Sequence, residues 1–207
     1  MRILITAGPT REPIDAVRYI GNRSSGQMGA ALVSAALAAG HEVTLILGPV
    51  SVAMPSVSRR IDVETAAQMH QAVLFEFPSH DLLMMAAAVA DYRPKHVHSG
   101  KLARKGSLTI ECEPTEDILA DVGRMKRANQ RCVGFSLEME GSVARAKEKL
   151  ARKNVDLIVY NPTNTMNSLS VQAVLLWADG REEKLAVLAK AEFAKLLLGR
   201  AAKLFEI

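Results

Sequence analysis

Short, mostly apolar runs recurring between segments of helical spacing are the feature of this sequence that most narrows its fold. Arg2–Thr6 breaks at Ala7-Gly8-Pro9-Thr10, and Glu42–Leu47 breaks at Gly48-Pro49. Asp81–Ala88, Cys132–Phe135 and Asp156–Tyr160 follow, with Val57–Val63 as a further strand. Runs this short without polar alternation suit strands buried on both faces, the condition of a parallel sheet. The segments between them have helical spacing. Ser25–Ala39 presents Met28, Leu32, Ala35 and Leu37 and closes on Gly40, a residue suited to a helix C-terminus. Thr65–Phe77, Thr115–Arg127 and Ser142–Lys153 read the same way. Strands and helices alternating at this spacing predict an α/β architecture, a Rossmann-like doubly wound, mostly parallel sheet with right-handed crossovers.

Three segments depart from the alternation. A polar loop runs from the end of the first strand to about residue 24. Residues 93–105 carry Arg93, Lys95, Lys101, Arg104 and Lys105 with no acid and little periodicity, which predicts a mobile basic loop. It could close over phosphates, or be a solvated charge run. Leu108–Cys112 reads as a short strand. After the turn-rich string Asn161-Pro-Thr-Asn-Thr-Met-Asn167, Val171–Trp177 and Glu183–Ala186 predict a late hairpin, and Leu188–Leu204 a terminal helix. At 207 residues the chain is expected to form one domain over 1–207.

Composition removes several function classes. Nine aromatic residues leave an aliphatic core and few stacking platforms for single-stranded nucleic acid. The net charge of +4 is small, and its distribution says more. Residues 1–91 hold six basic and eight acidic side chains, while 92–207 hold twenty and fourteen. Basic residues therefore gather in the half that would form one wall of a cleft, and a nucleic-acid partner is not expected. Cys112 and Cys132 form neither a zinc knuckle nor a disulfide framework. No apolar run approaches 18 residues and the first residues are not a signal peptide, so a soluble, cytoplasmic protein without membrane contact is expected. There is no Gly-x-Gly-x-x-Gly after the first strand, no Gly-x-x-x-x-Gly-Lys-Ser/Thr and no Gly-x-Ser-x-Gly. The usual support for an oxidoreductase is therefore missing.

An open parallel sheet binds ligands at the carboxyl ends of its strands. Here those ends are Gly8-Pro9-Thr10, Ala87–Asp91, Phe135–Glu138 and Tyr160-Asn161. The string Gly21-Asn-Arg-Ser-Ser-Gly-Gln-Met-Gly29 opens the first long helix. Its small residues and free amides suit an anion, with Asn22, Ser24 and Ser25 as side-chain donors. A plain Ser/Asn cap with glycines for close packing accounts for it equally. Asp91 could ligate magnesium or accept from a sugar or base, or simply be a solvated loop carboxylate. Arg145, Lys149 and Lys153 recur every four residues on one helix face, as exposed helices often do. The residues alone reach a Rossmann-like domain with a basic anion site.

Several strings together are more specific. Gly8-Pro-Thr-Arg-Glu-Pro-Ile-Asp15, Val17-Arg-Tyr-Ile20, Asn22-Arg-Ser-Ser-Gly26, Ala87-Ala-Val-Ala-Asp-Tyr-Arg-Pro94, Val133-Gly-Phe135 and Arg152-Lys-Asn-Val-Asp-Leu-Ile158 occur in this order. The sequence thereby resembles the phosphopantothenate–cysteine ligases of coenzyme A biosynthesis from Met1 to about residue 206. The resemblance implies that CTP, or ATP, activates the carboxylate of 4′-phosphopantothenate as an acyl-nucleotidylate with loss of pyrophosphate. The cysteine amine then displaces CMP. It places Asn22 at the phosphopantothenate end and the acyl intermediate, with Arg18 nearby and Ser24, Ser25 and Gly26 completing that loop. It puts Lys101 on a flap over the phosphates as a second catalytic residue. Gly8, Ala87, Asp91, Asp117, Ile118, Leu119, Phe135, Lys149 and Lys153 fall, with Lys101, at nucleotide positions. Mg²⁺ accompanies the triphosphate, with its protein ligands unassigned. A homodimer is implied, with the late hairpin contributing contacts, and so is a flavin-dependent decarboxylase as a possible separate partner.

Some positions depart from the family pattern. Gln27 stands where a lysine is common, Gly21 where a small hydroxyl residue is, and Ala103 interrupts the flap charges. Ser136-Leu137 replaces two alanines, and Tyr160 replaces an alanine where it could narrow the base pocket. These departures bear on nucleotide preference. The alternative is a nucleotide-binding relative with another substrate or no turnover.

Overall fold

In a computed structural model of the chain, β1 (Arg2–Ala7) lies between two parallel neighbours and sends alternate side chains into two apolar layers. Ile3, Ile5 and Ala7 enter one layer and Leu4 the other, all fully buried, which explains a strand with no polar alternation. The structure describes residues 1–138, 143–162 and 170–206.

After β1 come a ribbon of β2 (Arg11–Pro13) and β3 (Tyr19–Gly21), then α1 (Gln27–Ala38), β4 (Glu42–Leu47), β5 (Arg59–Asp62) and α2 (Ala66–Glu76). β6 (Leu82–Met85), a second ribbon of β7 (Tyr92–Pro94) and β8 (Cys112–Pro114), and α3 (Ile118–Met125) follow. Then come β9 (Arg131–Glu138), α4 (Val143–Arg152), β10 (Leu157–Pro162), β11 (Ser170–Val171), β12 (Val174–Trp177), β13 (Glu182–Lys184), β14 (Leu188–Ala189) and α5 (Lys190–Ala202).

The main sheet runs β13-β12-β10-β9-β6-β1-β4-β5, parallel from β10 to β5, with β12 and β13 antiparallel at one edge. Counted in chain order, the parallel strands lie 3-2-1-4-5-6, so the winding reverses between β1 and β6. Leu32 and Val33 of α1 and Phe193 and Leu197 of α5 fill one layer. Met69 and Val73 of α2, Ile118 and Val122 of α3, and Ala146 and Leu150 of α4 fill the other.

Local signals explain the helix ends. Thr65 and Gln68 form a reciprocal capping box on α2. Gly40, at φ +75°, closes α1: its amide donates to Leu37 O and the His41 amide to Ala36 O, the paired bonds of a Schellman turn. Among the described residues no helix is long and apolar enough to cross a membrane.

The Rossmann-like sheet and the β12–β13 hairpin match expectation, with strand and helix ends moved by a few residues. Four details differ. The predicted polar loop after β1 contains the β2–β3 ribbon, because its acids bond backbone instead of water: buried Glu12 accepts from the Ala66 amide at 2.8 Å. Leu37 is exposed, since the buried face of α1 runs through Gly29, Leu32, Val33, Ala35 and Ala36. The basic stretch 93–105 begins as a strand, with Arg93 held by Glu113 and Glu116, each at 2.9 Å, and its partner is β8 in place of Leu108–Cys112. Val171 belongs to β11, which pairs with β14 apart from the hairpin. Ser142 and residues 163–167 of the turn-rich string lie outside the described residues.

Candidate active site

The winding reversal sends the connection after β1 to one face of the sheet and the connection after β6 to the other. The two strands stay joined beyond their ends: Ala88 N donates to Gly8 O at 2.9 Å, and Ala90 N to Thr10 Oγ1 at 2.9 Å. Between the diverging connections lies a cavity of about 640 Å³. The first turn of α1 opens on it from one face and that of α3 from the other. The positive ends of two helix dipoles favour an anion there.

The α1 wall is built from small residues for steric reasons. Gly26, the N-cap, has φ +79°, and an added Cβ on Gly29 would overlap the Ala7 Cβ. Ser24 Oγ accepts from the Gly26 amide at 3.4 Å, a weak bond that leaves the hydroxyl available. Asn22 Nδ2 donates to Val89 O at 2.8 Å and ties this loop to the end of β6. On the other wall Asp117 caps α3, accepting from Ala120 N at 3.1 Å, and pairs with Lys153 at 2.8 Å. Burial works to raise the Asp117 carboxyl, but Lys153, the Ala120 amide and Arg152 hold it below its ordinary value. Lys149 Nζ donates to Phe135 O at 3.2 Å.

The cavity brings together Asn22, Ser24, Ser25, Gly26, Ala87, Asp91, Asp117, Ile118, Leu119, Phe135, Lys149 and Lys153. Gly8, Arg18 and Lys101 are set apart from it. Gly8 turns at φ +79° against Gly48, whose carbonyl oxygen would sit 2.8 Å from an added Cβ, so the glycine serves the strand crossing. Arg18 and Lys101 line a second cleft with residues 102–106 and Leu108. Tyr160 is buried in the α2–α3–α4 layer and does not line the cavity, so it does not narrow a base pocket there. Arg145 is exposed and off the wall, although Lys149 and Lys153 share it as their spacing implies. The wall also holds Asn161, from the Tyr160-Asn161 strand end, and Arg23 and Lys190, to which sequence reasoning gave no role. The Asn161 Oδ1 atom is buried without a hydrogen-bond partner.

The second cleft is anchored by one carboxylate. Asp15 accepts from the amides of Val17 at 2.8 Å, Arg18 at 2.7 Å and Leu102 at 3.0 Å, with the Arg18 guanidinium 2.9 Å away. Burial pushes this carboxyl up, but those donors outweigh it and bring its pKa down to about 2. The folded value lies below the ordinary 3.8, so the tether is complete above that pH and is lost as pH falls toward 2. The Leu102 amide resonance should therefore titrate with a midpoint near 2 in the wild type and lose that transition in Asp15→Asn. A Leu102 amide indifferent to pH would show that the carboxylate does not hold the loop.

Fold and site define a Rossmann-like α/β domain with a cavity of about 640 Å³ at its winding reversal. The chain belongs to the family described as the DNA/pantothenate metabolism flavoprotein C-terminal domain, whose profile matches residues 1–204. It is 41% identical over 206 residues to the coenzyme A biosynthesis bifunctional protein CoaBC of Escherichia coli K12, covering 96% of this chain and 50% of that protein. It is 49% identical over 162 residues to a protein named cysteine/cysteine sulfinic acid decarboxylase from an unknown prokaryotic organism, covering 77% of this chain and 45% of that one. The crystal structure of the C-terminal domain of a CoaBC protein superposes with a TM-score of 0.86 at 39% identity, covering 99% of this chain and 95% of that domain. The chain spans about half the length of the curated relatives it matches.

Proposed function

We propose that this chain joins 4′-phosphopantothenate to L-cysteine in coenzyme A biosynthesis. The carboxylate attacks the α-phosphorus of CTP and pyrophosphate leaves. The cysteine amine then attacks the acyl carbon, CMP leaves, and the amine loses a proton as the amide forms. The observation that carries this reading is the cavity between two helix N-termini in a chain that matches CoaBC along almost its whole length. Such a ligation needs charge neutralisation and alignment more than a covalent nucleophile.

In this reading Asn22, Ser24, Ser25 and Gly26 hold phosphopantothenate, and Arg18 contributes from the second cleft. Ala87, Asp117, Ile118, Leu119, Phe135, Lys149 and Lys153 hold the nucleotide. Lys101 reaches the phosphates when residues 95–111 close as a flap. Magnesium fits a site of this kind as an ion carried largely by phosphate and water, with one or two carboxylates. Among the described residues no cluster of three ligating side chains exists. Glu116 and Asp117 are engaged by Arg93 and Lys153, which leaves Asp91 on the wall as the carboxylate to hold the metal. The metal supplies charge neutralisation at the triphosphate. We further propose a homodimer. Exposed Val17, Tyr19, Tyr92 and Leu108 lie on or beside the two ribbons, whereas the outer strand of the late hairpin is Glu182-Glu183-Lys184. A separate flavin-dependent decarboxylase would consume the product.

Pyrophosphate release with magnesium, CTP or ATP, 4′-phosphopantothenate and cysteine tests this directly. Release should require phosphopantothenate but not cysteine, should be faster with CTP, and should give an amide only when cysteine is added. No release from folded protein with either triphosphate would favour a nucleotide-binding relative with another substrate, the reading suggested by the departure at Gln27. Carbon dioxide release from cysteine alone would instead favour the activity named for the 49%-identical relative.

A further inference from the structure

Lys190 is the first residue of α5, and α5 is fixed against α1 by Phe193, Ala194 and Leu197 in the layer that holds Leu32 and Val33. That packing carries the Lys190 ammonium to the cavity wall, where Nζ donates to Gln27 Oε1 at 2.9 Å. Gln27 is the first residue of α1, so the ammonium stands at the positive end of that helix. The first turn of α1 contains no acid, and no carboxylate pairs with Lys190 among the described residues. Lys153 on the opposite wall is neutralised by Asp117, but Lys190 meets only a neutral amide. Burial pushes the ammonium below its ordinary value. The Lys190 ammonium and the positive end of α1 lie side by side, an arrangement that is unfavourable until an anion binds between them.

We infer that Lys190 is a substrate-binding residue of this site, taking a phosphoryl oxygen jointly with the amides of the first turn of α1. The inference rests on the ligase reading above, in which that oxygen belongs either to the nucleotide triphosphate or to the phosphate of phosphopantothenate. Gln27 holds the ammonium in place before the phosphate arrives.

Calorimetric titration of CTP–magnesium and of 4′-phosphopantothenate, each alone, into wild type, Lys190→Ala, Lys190→Arg and Gln27→Lys/Lys190→Gln tests it. Lys190→Ala should weaken one of the two ligands by about 10- to 100-fold, the usual range for a hydrogen bond to a charged group. The ligand affected names the source of the phosphoryl oxygen. The double variant moves the charge to the other end of the same hydrogen bond and should recover most of the affinity, as should Lys190→Arg. Unchanged affinity of Lys190→Ala for both ligands would overturn the assignment. So would a loss that neither Lys190→Arg nor the double variant restores, because a merely structural lysine is indifferent to where the charge sits. Wild type that binds neither ligand would remove the ligase reading and this inference with it.

Discussion

Replacing Asn22 with alanine is expected to slow amide formation by about 100- to 1,000-fold, the range found when one preorganised donor to developing charge is removed. The geometry explains why this residue matters and its neighbours matter less. A side-chain amide has two N–H groups and one acceptor oxygen. At Asn22 one N–H is spent on Val89 O at 2.8 Å, and that bond aims the remaining groups from the end of the α1 loop into the cavity. Asn22→Asp keeps the size but loses the donor to Val89 O and adds a negative charge where phosphates must enter. It should be at least as slow as the alanine variant. Because the side chain is exposed, stability should fall by no more than about 1 kcal/mol, the worth of one ordinary hydrogen bond. Single-turnover kinetics with a preformed acyl-nucleotidylate separates the two half-reactions. An Asn22→Ala enzyme within about threefold of wild type in amide formation would remove Asn22 from the reaction, whatever its sequence context.

Gly29→Ala is expected to be the most damaging single methyl in the site. An added Cβ would overlap the Ala7 Cβ and lie 3.1 Å from the Ala7 Cα, so the first turn of α1 would have to lift off β1. Overpacking of this kind costs about 3 kcal/mol at its upper range, or about 6–12 °C in melting temperature for a chain of this size. Gly40→Ala provides the comparison. Nothing lies within 4 Å of its would-be Cβ, so only the φ of +75° opposes a side chain there. The penalty should be about 1–2 kcal/mol, with the cavity unaltered. Differential scanning calorimetry of the two variants orders them, and Gly29→Ala should also lose ligand affinity. Equal melting temperatures for wild type and Gly29→Ala would mean that α1 does not depend on that contact.

The parallel strands were legible because burial on both faces leaves an unbroken apolar run, as in β1 and β4. The helix walls were legible for a similar reason: the i, i+4 spacing of Lys149 and Lys153 survives folding as a shared face. The ribbons were not legible, because polarity was read as solvation. Glu12, Asp15, Arg93 and Glu116 spend their polarity on backbone amides and on one another. The resemblance puts Gly8 at a nucleotide position, but the neighbour that needs the room there is Gly48. The family pattern puts Tyr160 beside the base pocket, yet successive residues of a strand point to opposite faces. It is Asn161 that lines the cavity. Lys190 was out of reach altogether, since 163 residues separate it from Gln27 and only the seating of α5 on α1 joins them.

That separation has a consequence in time. At ordinary elongation rates the ribosome delivers Lys190 about 10–30 s after Gln27. A nascent chain can therefore form β1, β4, β5 and β6 while the α1 wall still lacks its lysine. Until α5 docks, its first turn offers phosphates backbone amides but not the Lys190 ammonium. With Lys190 in the role proposed above, gain of full phosphate affinity would mark the docking of α5, and phosphate binding would serve as a clock for this domain's own maturation.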